Sequence, residues 1–356
     1  MRTVLLSDIC SYVNCKTPVE QIQLVDYVST ENLLQNKGGL SVANKLPSGK
    51  VTAFQAGDVL VSNIRPYFKK IWLADRSGGA SNDVLVFRKL NDNICEKYLY
   101  YILADDKFFA FSIASASGSK MPRGDKTQIM NYPVNLPPLD QQKKIADILS
   151  SLDEKIELNR RMNETLEQLG QALFRHYFID NPDAKNWKKR SLGEFFPVKT
   201  GKKDANFGTK DGKFPFFTCA QTISRAPSYS FDGSAILVAG NGDFNIKYYT
   251  GKFEAYQRTY VLIPHNEELL GFLYFLMKKD LSLITGGSRG SVIKFITKGM
   301  IENYRVELPD DNDIAAFAPI FSELLDLISH SNEQIQALAA LRDTLLLKLI
   351  SGEIEA

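Results

Sequence analysis

One long helical pattern constrains the fold of this chain more than any other feature. From Leu139 to Phe178 the sequence contains no proline and only one glycine, Gly170. Apolar residues recur there at spacings of three, four and seven, which places them on one narrow stripe of a helix. At 1.5 Å per residue, a helix of about forty residues is about 60 Å long. Such a stripe needs a partner, and the pattern is typical of a coiled coil.

The partner helix is predicted in the same chain. A shift of 172 residues carries the stripe that begins at position 145 onto a second stripe that begins at position 317, without a gap. The same shift carries Asn159 onto Ser331, and a polar layer at matching positions fixes the register of paired helices. We predict that helices 139–178 and 312–350 pack antiparallel. The residues predicted to pair the helices are Ile145, Leu152, Ile156, Leu166, Leu173, Phe317, Leu324, Ile328, Leu338 and Leu345.

The repeat extends upstream of both helices. Residues 131–137 read Asn-Tyr-Pro-Val-Asn-Leu-Pro, and residues 303–309 read Asn-Tyr-Arg-Val-Glu-Leu-Pro. The predicted fold class is α+β: two similar mixed α/β domains and two long helices, which form an intramolecular antiparallel coiled coil with an internal pseudo-twofold. The predicted segments are a domain at 1–136, a central spacer helix at 137–180, a second domain at 181–309 and a C-terminal spacer helix at 310–356.

Local patterns predict the elements of each domain. Short apolar and β-branched runs between turn residues indicate strands, and longer apolar runs indicate helices. The first domain is expected to contain strands at 21–25, 58–61 and 83–87, a buried helix at 96–111 and a short helix at 126–130. Asp125 is expected to cap the short helix. The strand at 234–238 and the helical run at 272–277 take the corresponding places in the second domain.

Composition narrows the class of protein. With 44% hydrophobic and 24% charged residues the chain is ordinary globular material, and a net charge of +2 does not by itself indicate nucleic acid. The four cysteines form no CxxC pair and the chain has three histidines, so no metal site is predicted. Reduced thiols and a cytoplasmic location are the default expectation. We expect neither a signal peptide nor a membrane span, because no stretch reaches 18 apolar residues.

No catalytic residue is predicted in this chain. The sequence lacks the HExxH, GxxxxGK[ST] and GxSxG patterns of common metal, nucleotide and acyl-transfer sites. Residues 135–139, Asn-Leu-Pro-Pro-Leu, are superficially similar to the Asn-Pro-Pro-aromatic motif of amino-methyltransferases, but one residue is inserted and the aromatic residue is missing. A self-contained methyltransferase is therefore disfavoured.

Basic and amide-bearing loops differ between the two copies, which suggests two related surfaces with two different targets. Lysine and arginine can contact phosphates, whereas asparagine, serine and arginine can contact base edges. Two such domains joined by stiff helices suit a reader of two half-sites, although charged loops are also ordinary solvated surface. The residues predicted to bind DNA are Asn63, Arg65, Tyr67, Lys69, Lys70, Ser119, Lys120, Arg123, Lys202, Lys203, Asn241, Asn245, Lys247, Arg289, Ser291 and Lys294.

The stretch around the first helix start carries a specific resemblance. Residues 131–156 read Asn-Tyr-Pro-Val-Asn-Leu-Pro-Pro-Leu-Asp-Gln-Gln-Lys-Lys-Ile-Ala-Asp-Ile-Leu-Ser-Ser-Leu-Asp-Glu-Lys-Ile, and Leu-Phe-Arg-His-Tyr-Phe follows at 173–178. The whole arrangement then repeats, and in this the chain resembles the DNA-specificity subunit of Type I restriction–modification systems. The second copy departs from the motif, because residues 308–313, Leu-Pro-Asp-Asp-Asn-Asp, lack the second proline and the paired glutamines.

The resemblance implies a non-catalytic subunit that binds a bipartite, asymmetric site in double-stranded DNA. In that family two target-recognition domains contact the half-sites, while the helices space them and dock two methylation subunits that bind S-adenosylmethionine. Restriction subunits join the full complex, and the partners carry out adenine methylation and cleavage, so no cofactor is expected in this chain. The alternative is a coiled-coil adaptor whose terminal domains bind other proteins.

Overall fold

Two compact units make up the chain, and each contains part of both long helices. The computed structural model describes residues 2–118, 121–286 and 294–356. Unit 1 comprises Met1–Leu158 and Gln334–Ala356, and unit 2 comprises Asn159–Glu333. The four segments predicted from the sequence follow the ends of elements, whereas the compact units divide each long helix between them.

Unit 1 contains two small sheets, a two-stranded ribbon and three short helices. Its strands are β1 (Arg2–Leu5), β2 (Cys10–Tyr12), β3 (Lys16–Pro18), β4 (Tyr27–Val28), β5 (Lys50–Phe54), β6 (Val59–Ser62), β7 (Ile71–Leu73), β8 (Gly78–Ala80), β9 (Val84–Lys89) and β10 (Pro133–Leu136). Its helices are α1 (Glu96–Ala104), α2 (Asp106–Ala114), α3 (Lys126–Met130), the first half of α4 (Leu139–Phe178) and the last part of the second long helix, α7 (Asp311–Ser351). One sheet has the order β2-β9-β6-β7, the other has the order β3-β5-β8-β4, and β1 pairs with β10.

The predicted elements of unit 1 are largely present, with two corrections. Residues 21–25 form no strand and lie mostly in two 3₁₀ turns, Val19–Gln21 and Leu24–Asp26. The expected single helix at 96–111 is two helices, because the backbone of Asp105 is extended and its carboxylate caps α2 by accepting a hydrogen bond from the Lys107 amide. Asp125 caps α3 as predicted, through the amides of Thr127 and Gln128.

Unit 2 is built around one larger sheet. Its strands are β11 (Lys188–Ser191), β12 (Val198–Thr200), β13 (Phe214–Phe217), β14 (Ser224–Ala226), β15 (Phe231–Ala239), β16 (Ile246–Ala255), β17 (Thr259–Leu262) and β18 (Arg305–Leu308). Its helices are α5 (Leu270–Thr285), α6 (Lys298–Glu302), the first part of α7 (Asp311–Ser351) and the second half of α4. The large sheet has the order β12-β17-β15-β16-β13-β14, and β11 pairs with β18 as β1 does with β10.

The long helices run antiparallel within each unit, as predicted. In unit 1, Ile145 and Leu149 near the start of α4 share a core with Leu346 and Leu349 near the end of α7. In unit 2 the order is reversed, because the end of α4 packs with the start of α7: Tyr177 contacts Phe317, with ring centroids 4.3 Å apart. All ten residues predicted to pair the helices are buried or half-buried.

Polar residues lie inside the helix pair of unit 2, at the positions where the sequence predicted a polar layer. Asn159 and Ser331 are both buried, and the Ser331 hydroxyl donates to the Asn159 carbonyl oxygen at 3.3 Å. One turn further along α4, the Asn163 side-chain amide donates to the Asn332 side-chain oxygen at 2.9 Å. These contacts favour one register, since an apolar residue opposite either group would leave it without a partner.

The start of α4 is anchored to unit 1 by Gln142, the second glutamine of the paired motif. Its side-chain amide donates to the carbonyl oxygens of Asn93 and Pro137, both at 2.9 Å, and its oxygen accepts from the Cys95 amide at 3.0 Å. At the corresponding start of α7 the carboxylate of Asp310 accepts hydrogen bonds from two backbone amides. The motif therefore holds the helix start in unit 1, and an acidic cap replaces it in unit 2.

By length and composition alone, α7 could cross a membrane. Its Phe321, Leu325 and Leu346 side chains are buried in the cores of the two units. The helix therefore gives only weak support for a membrane span, because the core helix of a water-soluble protein has the same composition.

Candidate nucleic-acid interface

The predicted DNA-binding loops of unit 1 lie side by side. The Arg65 amide donates to the Pro122 carbonyl oxygen at 2.8 Å, and the Gly124 amide donates to the Asn63 carbonyl oxygen at 3.3 Å. Ile64 and Arg123 form an isolated β-bridge. Residues 63–70 and 121–124 therefore form one surface, although they are far apart in sequence.

Unusual backbone geometry is concentrated at this surface. In the described part of the chain, four residues other than glycine have a positive φ: Asn36, Lys37, Arg65 and Lys69. The two segments that contain them are joined, because the Asn36 amide donates to the Phe68 carbonyl oxygen and the Lys37 amide to that of Lys69, both at 2.9 Å. Such conformations cost about 1–3 kcal/mol each and cluster at functional sites. The turn that presents Tyr67, which is exposed, is thus held in a specific shape.

Several predicted DNA-contacting side chains of unit 1 have partners within the protein. The Lys69 amine pairs with Asp106 at 2.7 Å, the Arg123 guanidinium pairs with Asp83 at 3.1 Å, and the Lys70 amine donates to a backbone carbonyl oxygen. Burial lowers the pKa of Lys70, and a nearby glutamate opposes part of that shift. Arg123 and Tyr67 are exposed and can reach a ligand, whereas Asn63 is buried.

The predicted residues of unit 2 meet at one edge of its sheet. The Gly242 amide donates to the Lys294 carbonyl oxygen at 3.0 Å, next to a β-bridge between Asn241 and Phe295. The turn that follows β16 joins the same edge, because the Gln257 amide donates to the Lys203 carbonyl oxygen at 2.9 Å. Lys203 itself lies over the Phe207 ring, 4.5 Å from its centroid.

Some residues of this edge were not predicted from the sequence, and four of the predicted DNA contacts lie outside the described residues. Arg258 is exposed, and its carbonyl oxygen accepts from the Gly240 amide at 2.8 Å. The hairpin loop at 218–223 and the start of β14 belong to the same edge, and residues 220–225 are exposed. The Gln, Thr, Ser and Arg side chains there were the available signal. Lys202 is exposed beside these loops. The predicted contacts Ser119, Lys120, Arg289 and Ser291 lie outside the described residues.

The described residues contain no cluster of three or more His, Cys, Asp or Glu side chains suited to a metal ion. A groove of about 480 Å³ in unit 1 is open and lined mainly by small polar residues, including Ser29, Asn32 and Asp83. Such a groove offers hydrogen-bond donors and acceptors and little apolar surface.

Comparison with known proteins identifies the family. The model for the Type I restriction modification DNA specificity domain matches residues 1–168 and again residues 184–338. The chain belongs to that family. The resemblance inferred from the helix-start motif is therefore confirmed, and the two matched ranges correspond to the two copies of the repeat.

Individual relatives agree with this assignment. The chain is 43% identical over 173 residues to the Type I restriction enzyme EcoDI specificity subunit of Escherichia coli, a match that covers 48% of this chain and 39% of that protein. It is 23% identical over 304 residues to the MjaIX specificity subunit of Methanocaldococcus jannaschii, which covers 74% of this chain and 70% of that protein. The chain thus spans about two fifths of the E. coli relative's length.

A solved structure has the same fold. The S subunit of the Type I restriction–modification system from M. genitalium matches with a TM-score of 0.55 and 18% identity, over 98% of this chain and 96% of that one. The predicted fold class, two mixed domains with long antiparallel helices, is therefore confirmed.

Proposed function

We propose that this chain is the sequence-specific, double-stranded DNA-binding specificity subunit of a Type I restriction–modification complex. It reads a bipartite, asymmetric site and directs adenine methylation and cleavage by partner subunits. The observation that carries the proposal is one duplicated frame with two different loop surfaces. In unit 1 the surface is a strained turn that presents Tyr67, and in unit 2 it is a sheet edge with Lys203, Asn241 and Lys294.

The division of labour follows from the side chains at each surface. Exposed cations such as Lys202 contribute phosphate contacts, which position the protein without reading sequence. Amide and guanidinium groups can pair with base edges in two-donor or donor–acceptor geometry. Because the two units differ in these groups, their half-sites differ, and the complete site is asymmetric.

The chain itself supplies no chemistry in this proposal. Methylation subunits bind S-adenosylmethionine and transfer the methyl group, and restriction subunits cleave DNA in the full complex. The complex works in the cytoplasm, where its DNA substrate lies. No observation favours the alternative of a coiled-coil adaptor.

Exposed apolar residues support two equivalent partners. Ile148 of unit 1 and Ile320 of unit 2 are related by the repeat and are 39% and 38% exposed. Leu341 of unit 1 and Leu169 of unit 2 are related in the same way and are 48% and 46% exposed. Each unit therefore presents the same apolar pair on its helices, which suits two copies of one methylation subunit.

Selection from a random pool of duplex DNA tests the function. The full chain, assembled with its methylation subunits, should enrich molecules with two different fixed half-sites and a spacer of constant length and free sequence. An adaptor protein would enrich no sequence. Binding that is tight but equal for all sequences would also overturn the proposal, because phosphate contacts alone give that result.

A further inference from the structure

A β-hairpin projects from the edge of the large sheet in unit 2. It consists of β13 and β14, in which Phe214 pairs with Ala226 and Phe216 pairs with Ser224. β14 is the terminal strand of the sheet. Every residue from Ala220 to Arg225, at and beside the hairpin loop, is exposed.

The base of this loop is fixed to the turn that follows β16. The Phe217 carbonyl oxygen accepts hydrogen bonds from the Tyr256 amide at 2.9 Å and from the Thr259 hydroxyl at 3.2 Å. The Cys219 thiol lies 3.4 Å from the Arg258 carbonyl oxygen. These contacts fix the direction in which the loop leaves the sheet.

Asn245 and Lys247 fix one side of the loop. The Asn245 amide nitrogen donates to the carbonyl oxygens of Cys219 and Asp243, both at 2.9 Å. The Lys247 amine donates to the Ala220 carbonyl oxygen at 2.8 Å and to the Asn245 side-chain oxygen. Both polar side chains are thus directed at the loop backbone.

These bonds change the role expected for the two residues. Asn245 is 8% exposed, and both ends of its side-chain amide are engaged within the protein. Burial lowers the pKa of Lys247, and the nearby Cys219 opposes part of that shift. Asn245 and Lys247 were predicted to contact DNA directly, but their geometry suits positioning of the loop.

The exposed side chains of the loop carry the chemistry of base readout. A glutamine amide matches the N6 and N7 positions of adenine, and an arginine guanidinium matches O6 and N7 of guanine. Gln221 makes one long contact, 3.4 Å from its amide nitrogen to Asp243, which a base edge can replace. Among the described residues, the Arg225 guanidinium has no hydrogen bond or ion pair. Ile223, between them, is exposed and can contact a thymine methyl group.

We propose that this hairpin reads the half-site of unit 2 in the major groove, with Gln221 and Arg225 as specificity-determining residues and Asn245 and Lys247 as positioning residues. A two-stranded ribbon fits the major groove, which is about 12 Å wide. This inference rests on the proposed function and names the element that performs it in one unit.

The test is the same selection of random duplex DNA, with the full chain and its methylation subunits. Gln221→Ala and Arg225→Ala should each relax the preference at a base position of one half-site, by about tenfold or more, and leave the other half-site unchanged. Lys202→Ala, the matched control, should weaken binding to all sequences alike. Unchanged preferences in both loop variants, in a complex that still selects a bipartite site, would overturn the inference alone. Loss of all selection by the unmodified complex would instead overturn the proposed function.

The positioning role has its own readout. Lys247→Met removes the donor to Ala220 and should relax the same base positions as the two loop variants together. Lys247→Arg keeps a donor to the Ala220 carbonyl oxygen and should restore the preferences at those base positions. If Lys247→Met lowers affinity for every sequence equally, and Lys247→Arg does not, then Lys247 contacts phosphate and the positioning role is wrong.

Discussion

Arg342 and Gly170 occupy the same position in the duplicated frame, and the two units use that position in opposite ways. In unit 1 the Arg342 side chain is 8% exposed and its guanidinium donates to Asp153 at 2.7 Å and to Asp343 at 2.9 Å. Asp153 also accepts from the Tyr101 hydroxyl at 2.7 Å. In unit 2 the position has no side chain, and the Phe275 ring fills the space.

The ion pairs of unit 1 continue from Arg342 to the surface formed by residues 63–70 and 121–124. Asp343 pairs with the Lys37 amine at 3.2 Å, Lys37 pairs with Asp106 at 3.3 Å, and Asp106 pairs with Lys69 at 2.7 Å. Lys37 and Lys69 are two of the four residues with positive φ. A row of charges therefore links the end of α7 to the strained turn.

Unit 2 has aromatic packing in the corresponding place. Phe174 and Phe178 of α4 contact Phe272 and Phe321, with ring centroids 5.0–6.2 Å apart. Aromatic rings need space, and because Gly170 has no side chain, the Phe275 ring can lie against α4 there. The comparison shows that a duplicated frame can keep its helix pair while the contacts at one equivalent position change from ionic to aromatic.

The largest expected effect on stability comes from replacement of Arg342 in unit 1. Arg342→Met leaves Asp153 without its cation in a mostly buried site, and we expect unit 1 to lose about 2–4 kcal/mol of stability. Amide hydrogen exchange resolves the units separately, so protection should fall in unit 1 and not in unit 2. The control is Arg305→Met, at an exposed position with no ion-pair partner among the described residues, which should change stability by less than about 0.5 kcal/mol. Equal losses in the two variants would show that the ionic network does not stabilise unit 1.

Addition of one methyl group at Gly170, the equivalent position in unit 2, should have the next largest effect. A Cβ at position 170 would lie 2.2 Å from the Phe275 ring, so Gly170→Ala should destabilise unit 2 by about 1–3 kcal/mol. In an unobstructed helix the same change is stabilising by about 1 kcal/mol. The double variant Gly170→Ala with Phe275→Leu removes the ring atoms nearest to the added methyl group, and it should recover part of the loss. A stabilising effect of Gly170→Ala, measured by hydrogen exchange in unit 2, would contradict the packing account.

The smallest effect concerns the pH dependence of the strained turn. Burial would raise the pKa of Asp106, but hydrogen bonds and charges from Lys69 and Lys37 outweigh it and lower the pKa below its ordinary value. A depressed folded-state pKa contributes stability above the unfolded value of about 3.9, and the contribution is lost as pH falls through the folded pKa. Protection factors of the Asn36 and Lys37 amides should therefore fall as the pH drops below about 4. Asp106→Asn should remove that dependence, and wild-type protection that is constant down to pH 3 would contradict it.

The helices could be predicted from the sequence because their pattern is long. The helix predicted at 139–178 is Leu139–Phe178, and the one predicted at 312–350 is Asp311–Ser351. Short elements were harder: the apolar run at 21–25 forms no strand, since four or five residues carry too little periodicity to separate a strand from a turn.

The sequence could predict which loops form the candidate sites, but it could not predict which residues contact each other there. Composition indicated the loops at 63–70 and 241–247, and the structure brings each into a shared surface. The pairing of Lys37 with Asp343 spans 306 residues, and no local pattern predicts it. For the same reason the sequence does not show that the Asn245 and Lys247 side chains donate to the carbonyl oxygens of Cys219 and Ala220.

The central claim is that each unit reads its own half-site. The most direct test is to sequence the methylated adenines in a host that expresses the chain with its methylation subunits. The measurement is then repeated after residues 188–308 have been replaced by the corresponding domain of a related subunit. The account predicts a bipartite motif with two different half-sites, of which one changes on replacement while the other is kept. A single contiguous motif, or a change in both half-sites, would contradict it.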